Sequence, residues 1–202
     1  MKSHLNHKSL LVVLSVMLVM SLTSCRDTSK SEQVVPASSD VSTTQPVEVD
    51  SLTLASLPDA PSAPILDMAE LFSPKDITEI SEDIKELDSL QLAQVAVVTV
   101  KDFKGMAPLD YATALANKWG VGHKETNDGI TIVIKPKTGE RNEERGEVAF
   151  ATGLGMQKII TDDMCKRIND EVMVPKFKKN QYGEGVKDAL NKIKDILTGD
   201  KD

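Results

Sequence analysis

The stretch VAVVTV at residues 95–100 consists of successive apolar residues, most of them β-branched. A strand that is buried on both faces has this composition, whereas a strand with one face in water alternates apolar and polar side chains. We therefore expect residues 95–100 to form a central strand. Further strands are predicted at residues 130–134 and 147–151. The central strand decides the fold, because both of its faces need helices to cover them.

Helices are predicted around these strands from apolar residues that recur every three or four positions. Ser73 and Pro74 form a typical helix start, Thr161 a helix cap and Pro175 a helix end. The predicted inward-facing residues are Ile77, Ile80, Ile84 and Leu87; Ala112, Leu115 and Trp119; Met164, Ile168 and Val172; and Val186, Leu190, Ile193 and Leu197. Ordered structure is expected to begin near Ile65. Because helices and strands alternate along the chain, the predicted fold class is α/β.

The connections between the strands predict which loops meet at one edge of the sheet. A strand–helix–strand passage from residue 95 to residue 134 should place its two strands parallel. The polar link at residues 135–146 has no helical pattern, so the next strand is predicted to return as an antiparallel hairpin, which makes the sheet mixed. The end of the third strand then lies at the edge where the second begins. The residues expected at this edge are Asn127, Asp128, Gly129, Gly153, Gly155, Asp162 and Asp163.

Three carboxylates and an amide at one edge suggest a site for a hard cation. Calcium takes about six to eight oxygen ligands, and neighbouring glycines let backbone carbonyls turn inward. The candidate ligands are Asn127, Asp128, Asp162 and Asp163, with Gly129, Gly153 and Gly155 as supporting backbone. Ordinary turn chemistry in the first segment and helix capping after Thr161 are alternative explanations. The spacing does not match an EF-hand loop, so the ligands would come from separated segments.

The N-terminus has the layout of a secretory signal. Lys2 and Lys8 precede an apolar stretch at residues 10–20 that is too short to span a bilayer comfortably. Residues 22–25, with the sequence LTSC, resemble the lipobox of bacterial lipoproteins, so we predict cleavage before Cys25 and acylation of that cysteine. Two or three acyl chains form a durable membrane anchor. The alternatives are an ordinary signal peptide with a chance cysteine, or an uncleaved anchor.

The predicted domain organisation follows from composition. Residues 1–24 are the signal peptide, and residues 25–63 are a lipidated N-terminus and disordered tether, because they are rich in Ser, Thr, Pro and Asp without a sustained period. Residues 64–202 supply one α/β domain. The predicted location is the cell envelope, with the domain in the periplasm or otherwise outside the cytoplasmic membrane.

Charge and the remaining reactive residues exclude some functions. The formal net charge is −7, which argues against a nucleic-acid partner because that binding needs a basic face. The chain has two cysteines; with Cys25 assigned to lipid, Cys165 has no partner and is expected to be a buried small hydrophobe rather than a reactive thiol. His123 is expected to be a surface loop residue rather than a general base.

The order of these segments resembles the TPM domain family, which occurs in bacterial envelope proteins and in thylakoid-lumen proteins linked to photosystem II repair. The likeness spans roughly residues 65–196. It is carried by short motifs in this order: Ile65-Leu66-Asp67, Val97-Val98-Thr99-Val100, Tyr111, Trp119-Gly120-Val121-Gly122, Asn127-Asp128-Gly129, Gly153-Leu154-Gly155-Met156-Gln157, Thr161-Asp162, Phe177 and Tyr182-Gly183-Glu184-Gly185.

The resemblance implies a three-layer α/β/α sandwich around a small mixed sheet, with a divalent-metal site whose expected ion is calcium. Carried over to this chain, the expected ligands are Asp128 and Asp162. Gln157 departs from the family, which usually has a glutamate after Gly-x-Gly-hydrophobe, and this weakens any role that needs a carboxylate there.

Two functions are compatible with this reading. The favoured one is a lipid-anchored, calcium-binding module that engages an envelope membrane protein. The alternative is a metal-assisted phosphatase of unknown phosphoester substrate, because acid phosphatase activity is attributed to plant members of the family. No motif in the sequence supplies an evident nucleophile–base pair.

Overall fold

A computed structural model of the protein describes residues 55–139 and 145–199. Cys25, the signal peptide and most of the predicted tether lie outside the described residues, so their assignments stay predictions. Across the described ranges, no helix has the length and apolar character needed to cross a membrane.

The sheet has four strands, β1 (Ile65–Asp67), β2 (Gln94–Thr99), β3 (Gly129–Lys135) and β4 (Glu147–Thr152). They lie side by side in the order in which they occur along the chain. β2 is parallel to both β1 and β3, while β3 and β4 are antiparallel. The predictions of a central strand at residues 95–100, a parallel crossover and a hairpin are therefore confirmed.

The helices are α1 (Pro74–Ser89), α2 (Pro108–Trp119), α3 (Asp162–Arg167), α4 (Val174–Phe177) and α5 (Tyr182–Thr198). One face of the sheet packs against α1, α3 and α5 in a core that includes Ile84, Ile132 and Ile193. The opposite face packs against α2 through a second core that includes Leu115 and Val133. The predicted α/β class and three-layer arrangement are confirmed.

Helix α1 begins as the sequence indicates. The Ser73 side chain accepts a hydrogen bond from the backbone N–H of Asp76, whose carboxylate accepts one from the Ser73 backbone N–H, and Pro74 occupies the first turn. This reciprocal cap satisfies two backbone donors that a helix start leaves unpaired. Of the four residues predicted to face inward from α1, Ile80, Ile84 and Leu87 are buried, but the Ile77 side chain is exposed.

The helix that follows Thr161 differs from its prediction. Thr161 caps it as expected, but after Arg167 the chain continues as a π-helical segment, Ile168–Met173, and then as α4, where Pro175 occupies a first-turn position. Proline is tolerated there because the first-turn N–H has no helical partner. The wider π turn moves the buried position, so Met173 is buried instead of Val172.

The chain before β1 contacts the domain, although the sequence places the domain boundary at residue 63. Leu57 is only 3% exposed and packs beside α2. Lys118 Nζ donates to the Leu57 carbonyl oxygen at 2.6 Å, and Trp119 Nε1 donates to the Pro58 carbonyl oxygen at 2.9 Å. We call residues 55–64 the strap.

Candidate functional site

The start of β3 and the end of β4 lie at one edge of the sheet. The antiparallel register pairs Ile130 with Thr152. Beyond that pair, Gly153 N donates to the Gly129 carbonyl oxygen at 2.8 Å, and Gly155 N donates to the Asn127 carbonyl oxygen at 3.1 Å. The structure therefore joins the two loops that the predicted topology placed together.

Glycine is required where these loops meet. A Cβ atom on Gly153 would lie 2.2 Å from the Asn127 carbonyl oxygen, and one on Gly155 would lie 1.9 Å from the Thr126 carbonyl oxygen. Neither distance is compatible with a real side chain. Asn127 has a φ of 51°, in the left-handed region that asparagine tolerates better than most residues. The supporting role predicted for the glycines at residues 153 and 155 corresponds here to close backbone contact.

Asp128 is buried beneath the Asn127 turn, with 7% of its surface exposed. Its carboxylate accepts hydrogen bonds from the His123 backbone N–H at 2.8 Å and from the Thr126 hydroxyl at 2.7 Å. Burial raises the pKa of Asp128, but these hydrogen bonds and the contact with the His123 ring outweigh it, so the pKa lies below its ordinary value of 3.8. Asp128 is therefore ionised at neutral pH and holds the loop closed.

His123 is in contact with Asp128, which the sequence did not reveal. Its Nδ1 lies 3.1 Å from both carboxylate oxygens of Asp128, and its Nε2 lies 3.6 Å from Asp88 Oδ1. The hydrogen bond to Asp128 and the negative charges of Asp128, Asp88 and Glu125 raise the pKa of the imidazole. His123 was expected to be an ordinary loop residue. The signal available was its position five residues before Asp128, which a turn brings into contact.

An open cavity of about 660 Å³ lies beside this turn, between α2 and the loop after β4. Among the predicted site residues, Asn127, Gly129, Gly153 and Asp162 line it together. Asp162 belongs to the first turn of α3, so the cavity joins the two separated segments that the sequence connected.

The remaining predicted ligands lie elsewhere. Asp128 sits behind the cavity wall in its own hydrogen bonds, and Asp163 lines a different depression with Lys166 and Asp170. The expected convergence of three carboxylates is therefore wrong, because successive residues of a helix start point in different directions. Within residues 55–139 and 145–199, no group of three or more His, Cys, Asp or Glu residues could hold a metal ion.

One carboxylate and two amide residues line the cavity, so any hard cation bound there would have to keep much of its water. The carboxylate residue is Asp162, and the amide residues are Asn127 and Gln157. Asp128 is ionised and would add negative potential close by. Carboxylate, amide and water oxygens are the ligands that calcium and magnesium take, and magnesium in particular keeps several waters.

The cavity lining also includes large apolar side chains. Leu109, from the first turn of α2, and Leu154, from the loop after β4, both line it, and both side chains are more than half exposed. The basic residue Lys124 also lines the cavity. The site thus combines acidic, basic and apolar contacts around one opening.

Cys165 lies away from the cavity in the core of the α1, α3 and α5 layer. Burial raises the pKa of its thiol to about 11. The prediction that this cysteine is a buried small hydrophobe is confirmed.

The protein belongs to the class of small three-layer α/β/α domains, and its candidate site is built from loops at one edge of the sheet. The sequence model of the TPM domain family matches residues 65–196, so the chain belongs to this family. No curated protein matches the chain.

Two solved structures are similar to this chain. The N-terminal domain of a protein from P. gingivalis is 26% identical, with a TM-score of 0.58, and the match covers 67% of this chain and 82% of that one. The N-terminal domain of the cg2496 protein from Corynebacterium glutamicum is 16% identical, with a TM-score of 0.50, and the match covers 72% of this chain and 85% of that one. The second likeness concerns the fold alone.

Proposed function

We propose that this protein is a lipid-anchored cell-envelope module whose TPM domain binds a divalent cation, with calcium as the first candidate, and engages an envelope membrane protein. The cation would be held at the cavity between the Asn127 turn and the start of α3. Asp162 and Asn127 would contact it directly, and Asp128 would attract it from behind the wall. The lipid on Cys25 would keep the domain near its membrane partner.

One observation carries the proposal. The cavity brings Asn127 and Asp162 onto a common surface, although 35 positions separate them in the sequence. An ionised, buried carboxylate at Asp128 lies directly beside that surface. Carboxylate and amide oxygens at an accessible opening are the ligand types that a hard cation takes.

Calorimetric titration of residues 26–202 with CaCl₂ and MgCl₂ tests the cation site. We expect saturable binding that Asp162→Asn weakens by roughly tenfold or more, since the loss of groups that only support a metal ligand already costs that much. Asp163→Asn is the matched control, because this neighbour faces another depression and should keep the wild-type affinity. Absence of saturable binding in the wild-type chain would sink the cation proposal.

The anchor is tested separately in cells. The full chain should fractionate with membranes and carry acyl chains on Cys25, and Cys25→Ser should abolish the acylation while leaving the domain folded. Mass spectrometry of the mature N-terminus reads the result directly. A full-length N-terminus with residues 1–24 attached in the wild type would contradict the lipoprotein assignment.

A metal-assisted phosphatase is the second candidate. It is favoured by the presence of Lys124 on the same cavity as Asp162, because a phosphoester needs a cationic group beside metal-binding oxygens, and His123 on that cavity could exchange a proton. The measurement is phosphate release from generic phosphomonoesters between pH 4 and pH 8 with Ca²⁺, Mg²⁺ or Mn²⁺. Release that Asp162→Asn does not reduce would come from a contaminant, and absence of release would remove this candidate.

A further inference from the structure

The strap is fastened to the last turn of α2 by three kinds of contact. The Leu57 side chain is buried beside the α2 core. Lys118 Nζ binds both the Leu57 carbonyl oxygen, at 2.6 Å, and the Asp59 carboxylate, at 3.0 Å. The indole N–H of Trp119 donates to the Pro58 carbonyl oxygen at 2.9 Å. Burial, charge and a directional hydrogen bond together fix the strap against this helix end.

The same helix end leads directly into the candidate site. Gly120 closes α2 in the left-handed conformation, and three residues later the His123 backbone N–H donates to Asp128. Between them, Gly122 N donates to Gln94 Oε1 at 2.6 Å. We call residues 120–123 the site loop.

The site loop has little room to move independently. A Cβ atom on Gly129 would lie 2.2 Å from the Val121 carbonyl oxygen, and one on Gly122 would lie 2.6 Å from Gly129 N. Backbones in such close contact transmit a displacement to each other, because neither side has a flexible side chain to absorb it. A shift of Val121 therefore reaches the start of β3, next to Asp128.

A second cavity, of about 340 Å³, shows that the strap reaches the site loop itself. It is lined by residues 60–64 of the strap and by Trp119, Gly120 and Val121. Gly120 and Val121 also line the candidate cation cavity, so the site loop is the wall between the two. Asp88, the second partner of His123, lines the strap cavity as well.

We infer that the strap sets the position of the site loop, with Trp119 and Leu57 as positioning residues for the cation site. When the strap is seated, the site loop presents the His123 backbone N–H to Asp128 and keeps the adjoining wall of the cation cavity in place. The effect on cation affinity rests on the proposed function. The effect on the site loop does not.

Amide hydrogen exchange of metal-free residues 26–202 tests the positioning directly. Trp119→Phe keeps an aromatic ring but removes the hydrogen bond to Pro58. Because one such bond corresponds to roughly a fivefold change in an equilibrium, we expect exchange of the Gly122 and His123 amides to accelerate about fivefold. Ile193→Val, a modest destabilisation in the other core layer, is the control and should leave those two amides at their wild-type rates. Rates within twofold of wild type in Trp119→Phe would overturn the inference.

Calcium titration supplies the second readout. If only the fraction of molecules with a seated strap binds well, apparent affinity falls in proportion to that fraction, so Leu57→Ala should weaken calcium binding about fivefold or more and Leu57→Met should restore it. Fluorescence of Trp119, the single tryptophan of the chain, should change on calcium addition in the wild type. If Leu57→Met weakened calcium binding as much as Leu57→Ala does, the inference that the strap positions the site loop would be contradicted.

The two arms separate two failures. A wild-type chain that binds no calcium, combined with accelerated exchange in Trp119→Phe, refutes the cation site and supports the positioning role. Normal calcium binding in the wild type, with unchanged exchange in Trp119→Phe and unchanged affinity in Leu57→Ala, refutes the positioning role alone.

Discussion

Substitution of Gly155 by alanine tests the contact between the two site loops. The backbone of Gly155 lies outside the left-handed region, so alanine does not meet the penalty of a positive φ there. Its Cβ, however, would lie 1.9 Å from the Thr126 carbonyl oxygen, and the next nearest atom is also backbone. The chain has no flexible side chain at this point that could move aside, so the loop after β4 must shift away from the Asn127 turn.

The expected cost is at the upper end for overpacking, about 3 kcal/mol of unfolding free energy. For a domain of this size, roughly 4 °C of melting temperature correspond to each kcal/mol, so the midpoint should fall by about 12 °C. Thermal unfolding followed by circular dichroism measures this shift. The same separation of loops should also lower cation affinity at the cavity.

Gly105→Ala is the matched control. Gly105 has a φ of 79° but no heavy atom within 4 Å of its would-be Cβ, so it carries backbone strain without a clash. Alanine in the left-handed region costs about 1–2 kcal/mol, and the expected fall in melting temperature is therefore smaller. If Gly155→Ala melted at or above the temperature of Gly105→Ala, the close approach of the two loops would be refuted.

Three further results are expected. Met173→Ala should cost about 2–5 kcal/mol of stability and Val172→Ala much less, measured by urea unfolding; the reverse order would mean that the π-helical segment is absent. The thiol of Cys165, with its pKa near 11 and its burial, should react with a thiol reagent at pH 8 only after denaturation, and fast labelling of the folded chain would contradict the burial. The stability difference between wild type and His123→Gln should be largest between about pH 4 and pH 6.5. Because the pKa of Asp128 is lowered in the folded protein, the stabilisation from its carboxylate is fully present above pH 3.8 and is lost as pH falls through the pKa of the folded state. Because the pKa of His123 is raised, the stabilisation from its imidazolium is fully present below pH 6.5 and is lost as pH rises through the pKa of the folded state. An equal stability difference at pH 5.5 and pH 8.5 would refute this pairing.

The central part of the fold could be predicted because its signals are local and strong. Runs of β-branched residues correctly predicted the positions of β2 and β3, and helical periodicity correctly predicted the buried faces of α2 and α5. β1 was missed as a strand because three residues, Ile65–Asp67, are too few to show a period. Its membership of the sheet depends on pairing with β2, which is a tertiary contact.

Two other departures come from geometry that sequence patterns do not encode. The π turn at Ile168–Met173 changes the helical period within one segment, so a constant spacing points to the wrong buried residue. The strap has the proline-rich composition of a tether, yet it is held by one buried leucine, Leu57, by hydrogen bonds to two backbone carbonyls and by the Lys118–Asp59 ion pair.

The candidate site was predicted in outline only. Topology brought Asn127 and Asp162 to one cavity, but it could not tell that Asp128 turns inward to His123. Side-chain direction in a turn is set by the φ of single residues, here the positive φ of Asn127. Residue types therefore predict which segments meet, whereas the structure decides which side chains face the opening.

The identity between spatial and sequential strand order has a consequence for assembly. Each new strand can join the outer edge of the strand made just before it, and no strand must be inserted between two that are already paired. A chain that emerges N-terminus first from the ribosome can thus build its sheet stepwise, from β1 to β4. The last helix, α5, then closes the layer over α1, which formed near the beginning.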